Sequence, residues 1–353
     1  MRIIPALWRA LGFILLGTLP WMMPGWVSEV PANMVFSKFG FIDAAGREVI
    51  PLKFQQGFSF SQGLAPVKQR EHWHYIDPQG KKVIQLPIVV TEARAFAEDL
   101  APVRVGQKWG YIDRSGVRVI EAKFDEAGSF SQGRAAVRVG SRWELGGWKG
   151  GKYGYIDRQG NLVIPAQFDR AEAFSQGRAA VMQAEKWMYE VPVAGKWSYI
   201  DIHGKTALQP RVDWAHPFSQ DLAPVKVGDR YGYIDLTGKL VIPAQFWDAG
   251  PFSEGLAPVR LERKMGFIDK TGKVVLETGF TEARGFSQGL APVKVDHQWG
   301  FIDRTGKIVI EPKYLEVQSF SQGLAGAVRK VFVGGDYMRP PDQKIDPEAN
   351  FSE

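Results

Sequence analysis

An aromatic residue followed by Ile-Asp recurs eight times in this chain, and no other feature limits the possible folds as much. The aspartates are Asp43, Asp77, Asp113, Asp157, Asp201, Asp235, Asp269 and Asp303, at successive spacings of 34, 36, 44, 44, 34, 34 and 34. Each is followed three positions later by glycine. A second landmark keeps step: Phe60, Phe96, Phe130, Phe174, Phe218, Phe252, Phe286 and Phe320 open strings like FSQGLAPV, 17 residues after the aspartate in seven copies and 19 in the second. A catalytic motif is needed once, whereas a structural unit is needed many times. Two landmarks in register across eight copies therefore define a repeat protein.

Each copy reads as β-structure. Aromatic and β-branched residues flank Asp-x-x-Gly, which signals a hairpin. The aspartate carboxylate can accept bonds from backbone N–H groups just downstream, and the glycine supplies a positive φ. Segments like LAPVKV (222–227) supply another strand, and FDEAGSFSQG (124–133) reads as a connection with one helical turn. The expected unit is a three-stranded antiparallel meander: LAPVKV, then WGYID, then KLVIP. The repeated Phe, the Ile before Asp and the paired Val-Ile are the expected core.

Pro66, Pro102, Pro224, Pro258 and Pro292 share one position in the LAPVKV strand. Proline cannot donate to a ladder, so it suits an edge strand. The expected architecture is thus all-β: a repeat array of eight three-stranded meanders in a curved, solenoid-like open stack, stabilised by neighbours sharing a core. The chain begins with the last two strands of a unit and ends with a first strand, so a closed eight-unit propeller-like ring is the alternative.

The first 32 residues differ in kind. Arg2 and Arg9 precede an uncharged, mainly apolar run from Leu11 to Met23. That is short for a membrane span, which needs about 20 residues, and it suits a signal peptide. The expected division is a signal peptide or membrane anchor over 1–32, the repeat domain over 33–335 and a flexible tail over 336–353. The expected location is periplasmic or extracellular, with inner-membrane anchoring as the alternative. Membrane contact is expected only through the N-terminal segment, where it is not cleaved.

The repeated residues resemble the WG repeat family, named for Trp-Gly before the Ile-Asp hairpin. Trp109-Gly110 and Trp299-Gly300 carry the pair intact, and Tyr153-Gly154, Tyr231-Gly232, Met265-Gly266 and Phe39-Gly40 are variants. Glycine is replaced in Trp73-His74 and Trp197-Ser198. The resemblance covers about residues 35–333. It implies a bacterial binding or scaffolding module with no shared catalytic residue.

Apparent chemical motifs dissolve on inspection. Gly285-Phe286-Ser287-Gln288-Gly289 has the spacing of a nucleophile elbow, but the string is repeat text. GGWKGGK (146–152) approaches a phosphate-binding loop, yet Tyr153 stands where Ser or Thr must hold the metal. His72 and His74 share a strand face with no third ligand in view. The turn aspartates come too far apart to supply the 6–8 oxygens that calcium takes. Cysteine is absent, excluding disulfides and thiolate chemistry. Net charge is +6 without a block of like charges, so no nucleic-acid arm is indicated. No cofactor, no metal and no enzymatic activity are expected.

The two 44-residue repeats depart from the pattern. Both carry their extra residues between LAPVKV and WGYID, as ELGGWKGGK (144–152) and EKWMYEVPVAGK (185–196). Trp143, Trp148, Trp187 and Tyr189 are the expected ligand-binding residues there, with Trp197 flanking them. Exposed Trp and Tyr stack on sugars or anchor protein partners. The expected function is a non-enzymatic, exported scaffold making protein–protein contacts in the bacterial envelope, with glycan or peptidoglycan binding through these aromatics as the alternative.

Overall fold

A computed structural model describes residues 34–144, 147–188 and 191–333. Segments 1–33 and 334–353 lie outside the described residues, and so do the expectations of a signal or anchor and of a tail. Phe36–Val331 forms one compact unit, and a second unit comprises Met1–Val35 with Phe332–Glu353, described only at its strand ends.

The first unit contains eight antiparallel sheets of four strands each. In blade 2 they are Val90–Ala93, Leu100–Val105, Lys108–Asp113 and Arg118–Phe124, paired in chain order. Blade 1 begins at Gln56, and blades 3 to 7 begin at Glu126, Arg170, Trp214, Asp248 and Glu282. Blade 8 joins the two ends of the chain: Glu316–Val317 and Ala325–Val333 pair on with Met34–Ile42 and Glu48–Phe54. The sheets therefore close into an eight-bladed β-propeller, and the open solenoid-like stack is corrected to the ring.

The three-stranded unit is also corrected. The segment expected to hold a helical turn contains a two-residue strand, such as Glu126–Ala127, which pairs with Val137 and Arg138. LAPVKV is consequently the second strand and not an edge. Its proline is tolerated because the two-residue strand stops there: Phe58 N–H donates to the Pro66 carbonyl at 3.0 Å, and the proline nitrogen falls where that pairing ends.

Hydrophobic residues lie between blades. One cluster unites Trp73, Tyr75 and Ile84 of blade 1 with Phe96, Ala101 and Val103 of blade 2. The cluster holding Phe41, Ile50 and Phe54 of blade 8 with Phe60, Ala65 and Val67 of blade 1 repeats it across the chain ends. A four-stranded sheet alone buries one face poorly, so each blade depends on both neighbours. At every joint the aromatic of the Ile-Asp motif meets the landmark Phe of the next blade, from Tyr75–Phe96 at 4.7 Å to Tyr111–Phe130 at 5.0 Å and Phe41–Phe60 at 4.7 Å.

The Ser-Gln-Gly-Leu strings are two-residue hairpin turns with φ of 52° at Gln62 and 81° at Gly63, as type I′ turns require. Each turn is locked to the next. Gly63 N–H donates to Gln322 Oε1, Asp99 N–H to Gln62 Oε1 and Gly177 N–H to Gln132 Oε1, at 2.9 to 3.0 Å, and the same bond recurs around the ring.

The glycine of Trp-Gly has a steric cause. In blade 2, Trp109 and Tyr111 oppose Phe124 and Ile120, so two residues of the third strand face four of the fourth. The fourth strand bulges over Gly110, where a Cβ would lie 2.5 Å from the Ile120 carbonyl oxygen. In blades 1 and 4, which have His74 and Ser198 instead, the fourth strands shrink to Lys82–Gln85 and Thr206–Leu208, and in blade 6 the fourth strand, Val274–Glu277, is also short although Gly266 is kept.

Candidate binding face

Because each blade is an up-and-down meander, its loops alternate between two faces. The turn face carries the Ser-Gln-Gly and Asp-x-x-Gly turns. The opposite hairpin face carries the loops between second and third strands and the connections between blades.

All eight motif aspartates sit on the turn face. Each accepts backbone N–H bonds from residues two and four positions on, as Asp113 does from Ser115 at 2.9 Å and Val117 at 3.1 Å. The bonds occur at Asp43, Asp77, Asp157, Asp201, Asp235, Asp269 and Asp303 as well. The closing glycines have φ between 74° at Gly46 and 87° at Gly306. These carboxylates are committed to backbone. Ser287, of the apparent nucleophile elbow, donates its hydroxyl to the Phe320 carbonyl of the next blade at 2.7 Å.

His72 and His74 lie with ring centroids 6.2 Å apart. His74 is buried, and its Nδ1 has no hydrogen-bond partner. Burial, followed by the charges of Lys82 and His72, holds its pKa below the ordinary value. Among the described residues, no three His, Cys, Asp or Glu side chains gather as a metal site would need.

On the hairpin face, the two insertions extend the ladder between second and third strands. Ala135–Glu144 pairs with Gly147–Ile156, and Ala179–Met188 with Val191–Ile200, as neighbouring ten-residue hairpins. First and fourth strands pair only with their lower parts, so the upper parts project from the ring.

A buried carboxylate fastens each root. Asp125 accepts from Ser141 N–H at 2.7 Å and from the Lys108 ammonium of blade 2. Burial pushes the Asp125 carboxyl up, but the Lys108 and Ser141 bonds outweigh it and hold its pKa below the ordinary value. Asp169 repeats the device, accepting from Ala184 N–H at 2.8 Å and from Lys152 at 2.5 Å.

The expected ligand residues separate. Trp143 and Trp148 face each other in the ladder of the blade 3 hairpin, but their side chains lie outside the described residues, as does Tyr189. Trp187 is 48% exposed, and the Lys152 ammonium of the neighbouring hairpin stands 5.7 Å from its ring centroid. Trp197 is buried and packs on Trp214 at 5.0 Å. The sequence reading missed Trp247, also 48% exposed, with the Arg230 guanidinium 3.1 Å above its ring. Trp247 follows the fourth strand at the position held by Asp125 and Asp169 in longer repeats, and that substitution was the available signal.

Eight segments match the repeat described as WG containing repeat: residues 39–73, 75–109, 109–143, 153–187, 197–231, 231–264, 265–296 and 299–330. The chain belongs to the WG containing repeat family. A WG repeat is staggered against a blade, running from the third strand of one to the second strand of the next. That stagger makes blade 8 out of both chain ends. A solved structure described as the eukaryotic initiation factor shares the fold, with a TM-score of 0.51 at 13% identity over 80% of this chain and 87% of that one. Hsv2p of Kluyveromyces lactis aligns with a TM-score of 0.43 at 10% identity, over 70% of this chain and 92% of its own. PorZ of Porphyromonas gingivalis, described as an essential bacterial surface component of the type-IX secretion system, aligns with a TM-score of 0.41 at 11% identity, over 81% of this chain and 41% of its own. No curated protein matches the chain in sequence.

Proposed function

We propose that this WG-repeat propeller is a non-enzymatic, exported scaffold that makes protein–protein contacts in the bacterial envelope. The observation that carries the reading is the perimeter. Every fourth strand has one unpaired edge, and most begin with exposed apolar residues, among them Val49, Val83, Val119, Val163, Val241 and Val309. An open edge with apolar side chains is a template for a partner's strand or apolar surface. Export is supported by the charged and apolar N-terminal sequence alone.

The test is capture of partners from envelope extract by the full chain and by variants carrying Val→Lys at 119, 163, 241 or 309. A defined protein retained by the parent and lost with one sector's lysine is the expected result. Recovery of the same proteins by all variants would sink the reading.

A second reading assigns glycan stacking to Trp143, Trp148, Trp187 and Tyr189. Trp187, half-exposed beside Lys152, is the observation that favours it. Retention on peptidoglycan that disappears in Trp148→Ala/Trp187→Ala would establish it.

A further inference from the structure

Every blade leaves the outer edge of its fourth strand unpaired, but the eight edges are not equivalent. Three fourth strands, Lys82–Gln85, Thr206–Leu208 and Val274–Glu277, are only three or four residues long. The other five have seven residues each. Four of those five contain proline: Pro51, Pro165, Pro243 and Pro312. Proline has no N–H to give, and proline and shortness both guard an edge against pairing with a foreign strand. Blade 2 is the exception. Its fourth strand, Arg118–Phe124, keeps an amide at every position and has Glu121 where blades 3, 5 and 8 have proline. Its charges are already engaged. Arg118 and Glu121 neutralise each other at 3.2 Å, and the Lys123 ammonium lies 5.3 Å from the Phe124 ring centroid.

A second, independent feature lies against the same strand. A cleft of about 460 Å³ opens between it and blade 3. Lys123 and Phe124 form one wall, Val139 of the second strand of blade 3 forms another, and Gly160, Asn161 and Leu162 close it from the turn below. Three of these six residues are large and apolar, and the cleft has room for a large side chain. An edge with free amides and carbonyls at ladder spacing is matched group for group only by extended main chain, and a pocket beside it reads a side chain of that same chain. A globular apolar surface would cover the edge and leave its polar groups without partners.

We propose that the outer edge of blade 2 is a strand-addition site and that its occupant is an extended segment of a protein partner. The segment pairs with Arg118–Phe124, sends a large apolar side chain into the cleft and sets an acidic residue beside Lys123. This rests on the perimeter reading above and deepens it, selecting one edge of the eight and one class of partner.

The repeats themselves supply substitutions that the fold accepts. Glu121→Pro copies blades 3, 5 and 8, and Leu162→Lys copies Lys82 of blade 1. The full-length parent is panned against a displayed library of random short peptides, and the peptides it retains are measured on parent and variants of equal melting temperature. The parent should enrich strand-forming sequences with one large apolar residue near an acid. Bound peptide should slow amide exchange over residues 118–123, and N-methylation of the peptide backbone should abolish binding. Glu121→Pro and Leu162→Lys should each weaken these peptides by about tenfold, while Val241→Lys in blade 5 leaves their affinity as it was. A library without such binders, or binders indifferent to Glu121→Pro, would overturn the proposal. Sedimentation of the parent as a dimer that Glu121→Pro dissociates would assign the edge to a second copy and overturn it equally. An envelope protein lost with Val241→Lys but kept by Glu121→Pro would end this assignment alone and leave the perimeter reading standing.

Discussion

The Ser321 hydroxyl donates to the Phe60 carbonyl at 2.7 Å, across 261 residues of chain. The same bond joins Ser287 to Phe320, Ser253 to Phe286 and Ser219 to Phe252 between sequential blades. The joint between the chain ends is thus built like the others, and closure needs no special chemistry. The joint between blades 2 and 3 lacks this bond. Ala97 has no hydroxyl to offer blade 3, and that joint keeps the turn-to-turn bond from Gly133 N–H to Glu98 at 2.9 Å.

Closure can be tested at that joint. Ser321→Ala with Gln322→Ala removes two inter-blade hydrogen bonds, each worth about 1 kcal/mol. The urea midpoint should fall by a similar amount to that of Ser287→Ala with Gln288→Ala. Removing residues 316–353 should do far more, because two strands of blade 8 go and the core around Phe41 and Phe60 opens. Loss of a single cooperative transition is the expected readout, and an unchanged one would contradict the ring.

The glycine of Trp-Gly offers a graded test. Gly232→Ala places a methyl against the Ile242 carbonyl, where a Cβ would sit at 2.5 Å. Overpacking of this kind costs about 2–3 kcal/mol. Ser198→Ala, where the fourth strand is short, should change the urea midpoint little. Equal effects at the two positions would refute the steric account.

Stability should fall with acid in two windows. Burial holds His74 and His216 below the ordinary histidine value of 6.5. Hydroxyl bonds from Ser115 and Thr237 are the largest influence holding Asp113 and Asp235 below the carboxylate value of 3.8. In all four the folded state binds fewer protons than the unfolded chain. Their contribution is therefore present above those ordinary values and is lost as pH falls through the folded ones. Melting temperature should begin to drop below about pH 6.5 and again below about pH 4. His74→Gln with His216→Gln should flatten the first decline and leave the second.

The hairpin roots should respond locally. Asp169→Asn leaves the Ala184 N–H without its charged acceptor and releases Lys152. Amide exchange of residues 183–188 should quicken, while exchange in the third strands of blades 1 and 7 stays as before. Uniform acceleration throughout the ring would mean that Asp169 supports global stability instead.

The sequence made the repeat, its turns and its core phenylalanines legible because each is marked by a residue type with one physical use. The first strand was hidden, since two residues carry no periodicity. Its absence made Pro66 and its equivalents look like edge residues when they mark where that short strand ends. Ring or stack was also undecidable, because curvature comes from the angle between packed blades and no single residue encodes it. At the candidate face, insert length disclosed the hairpins. Trp197, which flanks the expected ligand residues in sequence, is core, while Trp247 escaped notice inside a repeat of ordinary length.

Blade 8 has one more consequence. Its central pair, Ala325–Val333 against Met34–Ile42, runs antiparallel, so that Met34 and Val333 stand at the same end of the pair. Tension applied to the two ends would load these hydrogen bonds one after another, as a zipper is drawn, and never all at once in shear. The circle is weakest, mechanically, at its own seam, and a pull on the termini would peel it open there while the other seven blades kept their shape.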